Sequence, residues 1–217
     1  MTQVVVTIGG GDLSPRALEL VEDEATVIAA DSGLDHAVRL GLQPSALVGD
    51  LDSISANGKM WAYAHSVAIR ELPRDKDATD TELALAQAVA VDGATDLLLL
   101  GGAGDRLDHT LGALIALGAP VLAGLGSVRA LLGETRVHVL HPGHGVTLVE
   151  EPAGTTFSVF ALHGPCRGVD VRDARWPLRS ADLAPGSALG VSNLTSAVRD
   201  RATRISVADG VLTVVIP

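Results

Sequence analysis

Cysteine is nearly missing from the 217 residues: Cys166 stands alone. No disulfide can form within the chain, which fits a reducing cytosol and leaves Cys166 as a small buried side chain. Aromatic residues are almost as scarce, with two Trp, two Phe and one Tyr, so Trp61 and Trp176 each merit attention. No segment is dense in Lys or Arg and the formal charge is -10; a nucleic-acid surface, which needs clustered cations, is excluded. Long hydrophobic runs are also lacking. The longest apolar stretch, Leu111 to Leu125, is interrupted by glycines and Pro120 and is too short to span a bilayer comfortably. At the N-terminus, Met1-Thr-Gln3 leads directly into Val4 to Ile8 without a basic region and long apolar core, so no secretory signal is expected and the expected location is cytoplasmic. No G-x-x-x-x-G-K-[ST] loop occurs, which excludes a P-loop kinase, and Gly9-Gly-Gly-Asp-Leu-Ser14 lacks the third Gly of a dinucleotide fingerprint.

What is present is enough apolar side chain, 47% of the residues, to build a substantial core. Short apolar runs at Val4 to Ile8, Thr26 to Ala30, Ala46 to Val48, Val67 to Leu72 and Asp96 to Leu100 read as buried strands. Segments of helical character lie at Pro15 to Glu22, Leu34 to Leu40, Gly58 to Ala64, Thr81 to Val91 and Asp108 to Leu117. This alternation implies a parallel sheet with helices on both faces. After Gly118-Ala-Pro120 the pattern changes to strand-like runs, Arg136 to Leu140, Thr147 to Glu150, Thr156 to Ala161, Ala188 to Val191, Arg204 to Val207 and Val211 to Ile216. Ala208-Asp-Gly210 reads as a hairpin turn. The expected organisation is an α/β domain over residues 1–125 and an all-β domain over 126–217.

The chemistry concentrates at strand ends. Leu47-Val-Gly-Asp-Leu-Asp-Ser53 releases Asp50 and Asp52 where a strand stops, the edge at which open α/β sheets bind ligands. Two further acidic clusters follow, Asp75-Lys-Asp-Ala-Thr-Asp80 and Gly104-Asp-Arg-Leu-Asp-His109. A single Asp after a strand is as readily a turn former or helix N-cap. Three clusters at successive strand ends are harder to dismiss, because gathered like charges raise one another's pKa and need compensation. Carboxylates beside Lys76 and Arg106 suit Mg²⁺ and phosphate, pointing to phosphoryl or diphosphoryl transfer. Thr79 and Asp80 have an N-cap role as a rival reading. His109 reads by itself as a structural hydrogen bonder.

Taken in order, Asp31-Ser-Gly33, Gly49-Asp-Leu-Asp-Ser53, Lys76-Asp-Ala-Thr-Asp80, Gly101-Gly-Ala-Gly-Asp-Arg-Leu-Asp-His-Thr110, Trp176-Pro-Leu178 and Ser192-Asn193 resemble the thiamine pyrophosphokinase family over essentially the whole chain. The resemblance implies a Rossmann-like parallel α/β domain followed by a β-sandwich domain. It also implies diphosphoryl transfer from ATP to the hydroxyl of thiamine, with Mg²⁺, in a homodimer whose thiamine sites lie between subunits. Carried onto matching positions, Asp50, Asp52 and Asp80 would hold Mg²⁺ and act near the attacking hydroxyl, with Lys76 and Arg106 on the phosphates. Asp108 would support Arg106 or the nucleotide. Trp176 would pack on thiamine from the partner subunit, and Ser192 and Asn193 would line that pocket. Asp31, Ser32, Gly33, Ser53, Asp77, Thr79 and His109 complete the binding positions. Ser32 departs from the Asp-Gly-Gly of many members, and Leu34-Asp35 is unusual in the next turn. Two alternatives stand beside this reading: a diphosphokinase acting on another hydroxymethyl heterocycle such as a pterin, and a non-catalytic nucleotide or thiamine sensor.

Overall fold

The computed structural model describes residues 2–102, 104, 106–196 and 202–217. Two compact units emerge, Met1–Leu125 with Arg129–Glu134, and Gly126–Val128 with Thr135–Pro217.

The first unit contains β1 (Thr2–Thr7), β2 (Thr26–Ala30), α1 (Gly33–Leu40), β3 (Ala46–Gly49), α2 (Ala56–Ala64), β4 (Ala68–Glu71), α3 (Asp80–Val89), β5 (Ala94–Gly101), α4 (Leu107–Ala116) and most of β6 (Ser127–Leu132). The strand order is β6-β5-β1-β2-β3-β4. β1 pairs in parallel with both β2 and β5, and β2–β3 and β3–β4 are also parallel. Continuous burial explains why Val4, Val5 and Val6 of β1 and Leu97 to Leu100 of β5 are all apolar: each is at most 1% exposed, as expected of strands covered on both faces.

Two local expectations change. The strand expected to be buried at Val67 to Leu72 is β4, an exposed edge strand carrying Arg70 and Glu71; charge on an edge discourages pairing with another chain. The helix expected at Pro15 to Glu22 is a 3-10 turn over Pro15–Glu19. It stops because buried Gln3 takes over the hydrogen bonding that would continue it. Gln3 Nε2 donates to the Leu20 carbonyl at 3.1 Å, and the Glu22 N–H donates to Gln3 Oε1 at 2.9 Å.

The second unit is built from strands: β7 (Thr135–Leu140), β8 (Thr147–Val149), β9 (Thr156–Phe160), β10 (Cys166–Arg172), β11 (Leu178–Leu183), β12 (Asn193–Leu194), β13 (Thr203–Ser206) and β14 (Leu212–Ile216). β12, β9, β14 and β7 run antiparallel in that order, while β11, β10, β13 and β8 form a four-stranded antiparallel sheet. One apolar cluster draws on both sets: Leu140, Phe157, Val159, Val214 and Ile216 from the first, Cys166, Val169, Val171 and Ile205 from the second. Cys166 is fully buried and its thiol donates to the Val211 carbonyl.

Here too the structure corrects the sequence reading. Ala188 to Val191 is a turn, closed by the Val191 N–H donating to the Ala188 carbonyl, with the strand beginning at Asn193. Ala208-Asp-Gly210 is no hairpin, because β13 and β14 pair with different neighbours, β10 and β8 for one, β7 and β9 for the other. The turn carries the chain from one sheet to the other. Among the described residues no helix is long and apolar enough to cross a membrane.

Candidate active site

Strand order places the site. From β1 the chain proceeds outward through β2, β3 and β4, then returns to β5 on the other side of β1. In parallel sheets, crevices open beyond the carboxyl ends of strands at such a reversal. Gly9 to Gly11 leave β1 there, and Gly102 and Gly104 leave β5. The two loops touch through backbone: a Cβ on Gly104 would lie 2.5 Å from the Gly10 carbonyl oxygen. Gly33, the first residue of α1, has a similar reason to be glycine, since any Cβ would collide with the Thr7 carbonyl at the end of β1.

The carboxylates gather at the ends of β2 and β3. A continuing strand would send Asp50 and Asp52 to opposite faces. Leu51 prevents this: it adopts a left-handed backbone at φ 61 while its side chain is buried, so both acids turn towards Asp31. Asp31 itself leaves β2 at φ 47. Ligand atoms of Asp31, Asp50 and Asp52 all lie within 4.8 Å of one another. Ser53 donates to Asp31 Oδ2, whereas Asp31 Oδ1 is buried and has no hydrogen-bond partner. Burial pushes the Asp31 pKa up, the Ser53 hydrogen bond opposes that, and the charges of Asp80, Asp50 and Asp52 push it up further. An orphaned buried oxygen in an all-oxygen cluster is the donor set a hard divalent cation takes. These residues therefore fit Mg²⁺.

Cations flank the cluster. Lys76 Nζ lies 3.1 Å from Asp80 Oδ1 and 4.0 Å from Asp50 Oδ2, and donates to the Pro73 carbonyl at 3.1 Å. Arg74 pairs with Asp52 and brings Nε within 3.9 Å of Asp50. The sequence reading did not single out Arg74, although a cation next to Asp75 in an acidic loop was an available signal. Asp80 opens α3, where the helix dipole favours negative charge. It meets Lys76 as an ion pair and reaches Asp31 through its charge, but it is not among the three acids whose oxygens converge. Thr79 is occupied in a capping box: its Oγ1 accepts from the Glu82 N–H at 3.2 Å, and its own N–H donates to Glu82 Oε2 at 2.8 Å. Asp77 is exposed in the same loop.

Ser32 occupies the N-cap of α1 without a capping hydrogen bond. Its Oγ faces Gly9, where it would lie 2.6 Å from an added Cβ. The unusual Leu34-Asp35 pair has a structural explanation. Leu34 is fully buried, and Asp35 accepts from the backbone N–H of Ser55 at 2.8 Å and its hydroxyl at 2.5 Å, fixing the residue that caps α2.

Arg106 sits at the N-cap of α4 and forks onto Asp108 at 2.6 and 3.3 Å. This hydrogen bond holds the Asp108 carboxyl below its usual range. His109 is exposed, and its N–H donates to the Arg106 carbonyl at 3.1 Å. Asp105, in the same acidic run, lies outside the described residues.

In the second unit, Trp176 is 52% exposed, with the Arg175 guanidinium 4.8 Å above its ring. Asn193 is 2% exposed and holds the Trp176 backbone at two points. Its Oδ1 accepts the Trp176 N–H at 3.1 Å, and its Nδ2 donates to the Trp176 carbonyl at 2.7 Å. Ser192, in a left-handed conformation at φ 56, is exposed beside them and donates its N–H to Ser158 Oγ at 3.0 Å. The other tryptophan, Trp61, stacks on His65 and packs against the core of the first unit.

Fold and site together define a class: a mixed α/β sheet protein with a second small antiparallel sheet and a cluster of three carboxylates at parallel strand ends. Comparison with known proteins narrows it. Residues 17–121 match the thiamin pyrophosphokinase catalytic domain and residues 143–212 its vitamin B1 binding domain, together more than three quarters of the chain. The chain belongs to the thiamine pyrophosphokinase family of enzymes. It is 24% identical to the thiamine pyrophosphokinase of Bacillus subtilis, covering 96% of this chain and 94% of that one. Thiamine pyrophosphokinase 1 of Oryza sativa is 23% identical, over 88% of this chain and 79% of the relative. The fold is shared with the crystal structure of the Bacillus subtilis enzyme, at TM-score 0.80, 21% identity and coverage of 100% and 98%. It is shared too with thiamin pyrophosphokinase from Candida albicans, at TM-score 0.78, 13% identity and coverage of 99% and 88%.

Proposed function

We propose that this chain transfers the diphosphoryl group of ATP to the hydroxyl of thiamine, giving thiamine diphosphate and AMP, at the acidic strand ends of its first unit. The observation that carries this reading is the convergence of Asp31, Asp50 and Asp52, with Lys76, Arg74 and Asp80 around them. Asp50 and Asp52 with Asp31 would hold Mg²⁺, which when bound supplies positive charge against the phosphate oxygens. Lys76, Arg74 and Arg106 take the remaining phosphate charge, and Asp108 orients Arg106. Asp80, paired with Lys76 at the start of α3, acts near the attacking hydroxyl. Diphosphoryl transfer asks mainly for charge stabilisation and in-line positioning, which this arrangement of residues provides.

In the second unit Trp176 is the platform for the cationic thiamine ring, with Ser192 beside it and Asn193 holding the Trp176 backbone in place. Its exposure in an aromatic-poor chain supports a homodimer in which this face completes the partner's site. We read the first unit as a Rossmann-like catalytic domain, residues 1–125, and the second as a β-sandwich, residues 126–217, whose two sheets share one core. The single buried thiol supports a cytoplasmic location.

Incubation of the pure protein with ATP, Mg²⁺ and thiamine tests the reaction. AMP and thiamine diphosphate in equal amounts are expected; ADP with thiamine monophosphate would make it a simple kinase and overturn the proposal. Asp52→Asn should lower kcat by orders of magnitude with the fold intact. Mixing Asp52→Asn with Trp176→Ala chains should restore activity in heterodimers, and a mixture that never recovers refutes the shared site.

A further inference from the structure

The four-stranded sheet of the second unit bears a cavity of about 1080 Å³, lined by residues of that unit alone. Four of the chain's 16 Lys and Arg line it: Arg172, Arg175, Arg179 and Arg204. Asp170 and Asp173 are its acidic lining residues. Among the described lining residues two positive charges are therefore in excess, in a chain whose net charge is -10.

The strand pattern shows why these side chains meet. Val169 and Val171 of β10 and Ile205 of β13 face the core, which sends Asp170, Arg172 and Arg204 to the opposite face. The β10–β13 register sets Arg172 directly opposite Arg204. Like charges in that position destabilise a sheet unless something compensates them. Among the described residues, two carboxylates face these arginines. Asp173 holds Arg204 at 2.7 and 3.1 Å, and Asp170 reaches Arg172 only at 3.4 Å. Arg175 lies over Trp176, and no carboxylate among the described residues pairs with Arg175 or Arg179. Guanidinium forks match phosphate oxygens bidentately and keep their charge at any physiological pH. The volume exceeds what a bare ion fills and suits a small organic molecule.

We propose that this cavity is an anion site that recognises the diphosphate moiety of a small molecule through Arg172, Arg204 and Arg179. The proposal stands on the second unit alone and does not depend on the reaction assigned to the first.

Calorimetric titration of the full chain with inorganic diphosphate, without divalent cations, tests it. Wild type should bind. Arg172→Gln/Arg204→Gln should weaken binding by about tenfold or more, because each substitution removes a charge-assisted hydrogen-bond donor. Lys59→Ala, an exposed cation on α2 of the other unit, should bind as wild type does. Unchanged affinity in the double variant, loss of binding in Lys59→Ala, or no binding by wild type at millimolar diphosphate would overturn the site. Thiamine diphosphate is the second titrant: tighter binding than bare diphosphate assigns the rest of the cavity to an organic group, and equal binding assigns recognition to the phosphates alone. Should the double variant fail to fold, phenylglyoxal footprinting of wild type decides. Diphosphate should protect Arg172 and Arg204; protection confined to Arg74 and Arg106 refutes the proposal.

Discussion

Replacing Asp31 with Asn tests the acidic cluster without relying on turnover. The wild-type carboxylate faces Asp50 and Asp52 with ligand atoms no more than 4.8 Å apart. Two unit charges at that separation repel by about 0.9 to 3.5 kcal/mol for effective dielectric constants of about 80 to 20. Asp52 is exposed, and Arg74 and Lys76 neutralise part of the field, so the low end of that range applies to each pair. Removing the Asp31 charge relieves two such pairs, while weakening the bond from Ser53 gives back about 0.5 to 1 kcal/mol. The net is a metal-free variant more stable by about 1 kcal/mol, a rise of about 2 to 4 °C in Tm for a chain of this size. The pH dependence has a definite sign. Because burial and neighbouring charges raise the folded-state pKa of Asp31 above 3.8, its contribution to stability is full below 3.8 and is lost as pH rises through the raised value. The Asn variant lacks that loss. With Mg²⁺ the order reverses: a cation at a hundred times its Kd stabilises wild type by about 2.7 kcal/mol, and the variant gains much less. Scanning calorimetry in chelator and in excess Mg²⁺ measures both effects. An Asp31→Asn chain that is less stable in chelator and keeps the full Mg²⁺ shift would refute the argument.

Asn193→Ala should cost about 2 to 3 kcal/mol in urea unfolding, because the buried amide makes two hydrogen bonds to the Trp176 backbone and truncation leaves those groups unpaired; a loss below about 0.5 kcal/mol would show the clamp is dispensable. Gly104→Ala should lower stability by about 1 to 3 kcal/mol, since the new methyl meets Gly10 backbone that cannot rotate away, and should raise KM for ATP more than it lowers kcat; unchanged stability and KM would show that the loops move apart freely. His163, whose Nε2 lies 3.1 Å from Thr213 Oγ1, has its pKa lowered by burial and by His141. Its contribution is therefore full above 6.5 and is lost as pH falls towards the depressed value. The urea midpoint of His163→Gln should fall less than that of wild type between pH 7.5 and about 5, and parallel profiles would exclude His163 as the titrating group.

The acidic and glycine-rich runs and the change from helix-bearing to strand-only pattern are local properties of the chain, and local chemistry can be read residue by residue. Asp50 and Asp52 stand out because a strand that ends in Gly-Asp-x-Asp has few reasons to do so. The alternation of apolar runs and helical segments marks the α/β unit because burial on both faces demands unbroken hydrophobic strands. What tertiary structure decided depends on pairing between distant segments. Asp31 joins Asp50 and Asp52 because β2 and β3 are neighbours and because Leu51 takes a left-handed turn, neither of which their spacing specifies. Arg74 becomes part of the site only where the loop after β4 folds back onto the cluster. Thr79 and Asp35 spend their oxygens on helix caps. Asn193 lies 17 positions from Trp176 yet fixes its backbone, because β12 runs beside the loop between β10 and β11. Ala208-Asp-Gly210 looks like a hairpin because turn chemistry is local, but whether the flanking strands pair is settled by the register each finds elsewhere, and β13 and β14 find different sheets.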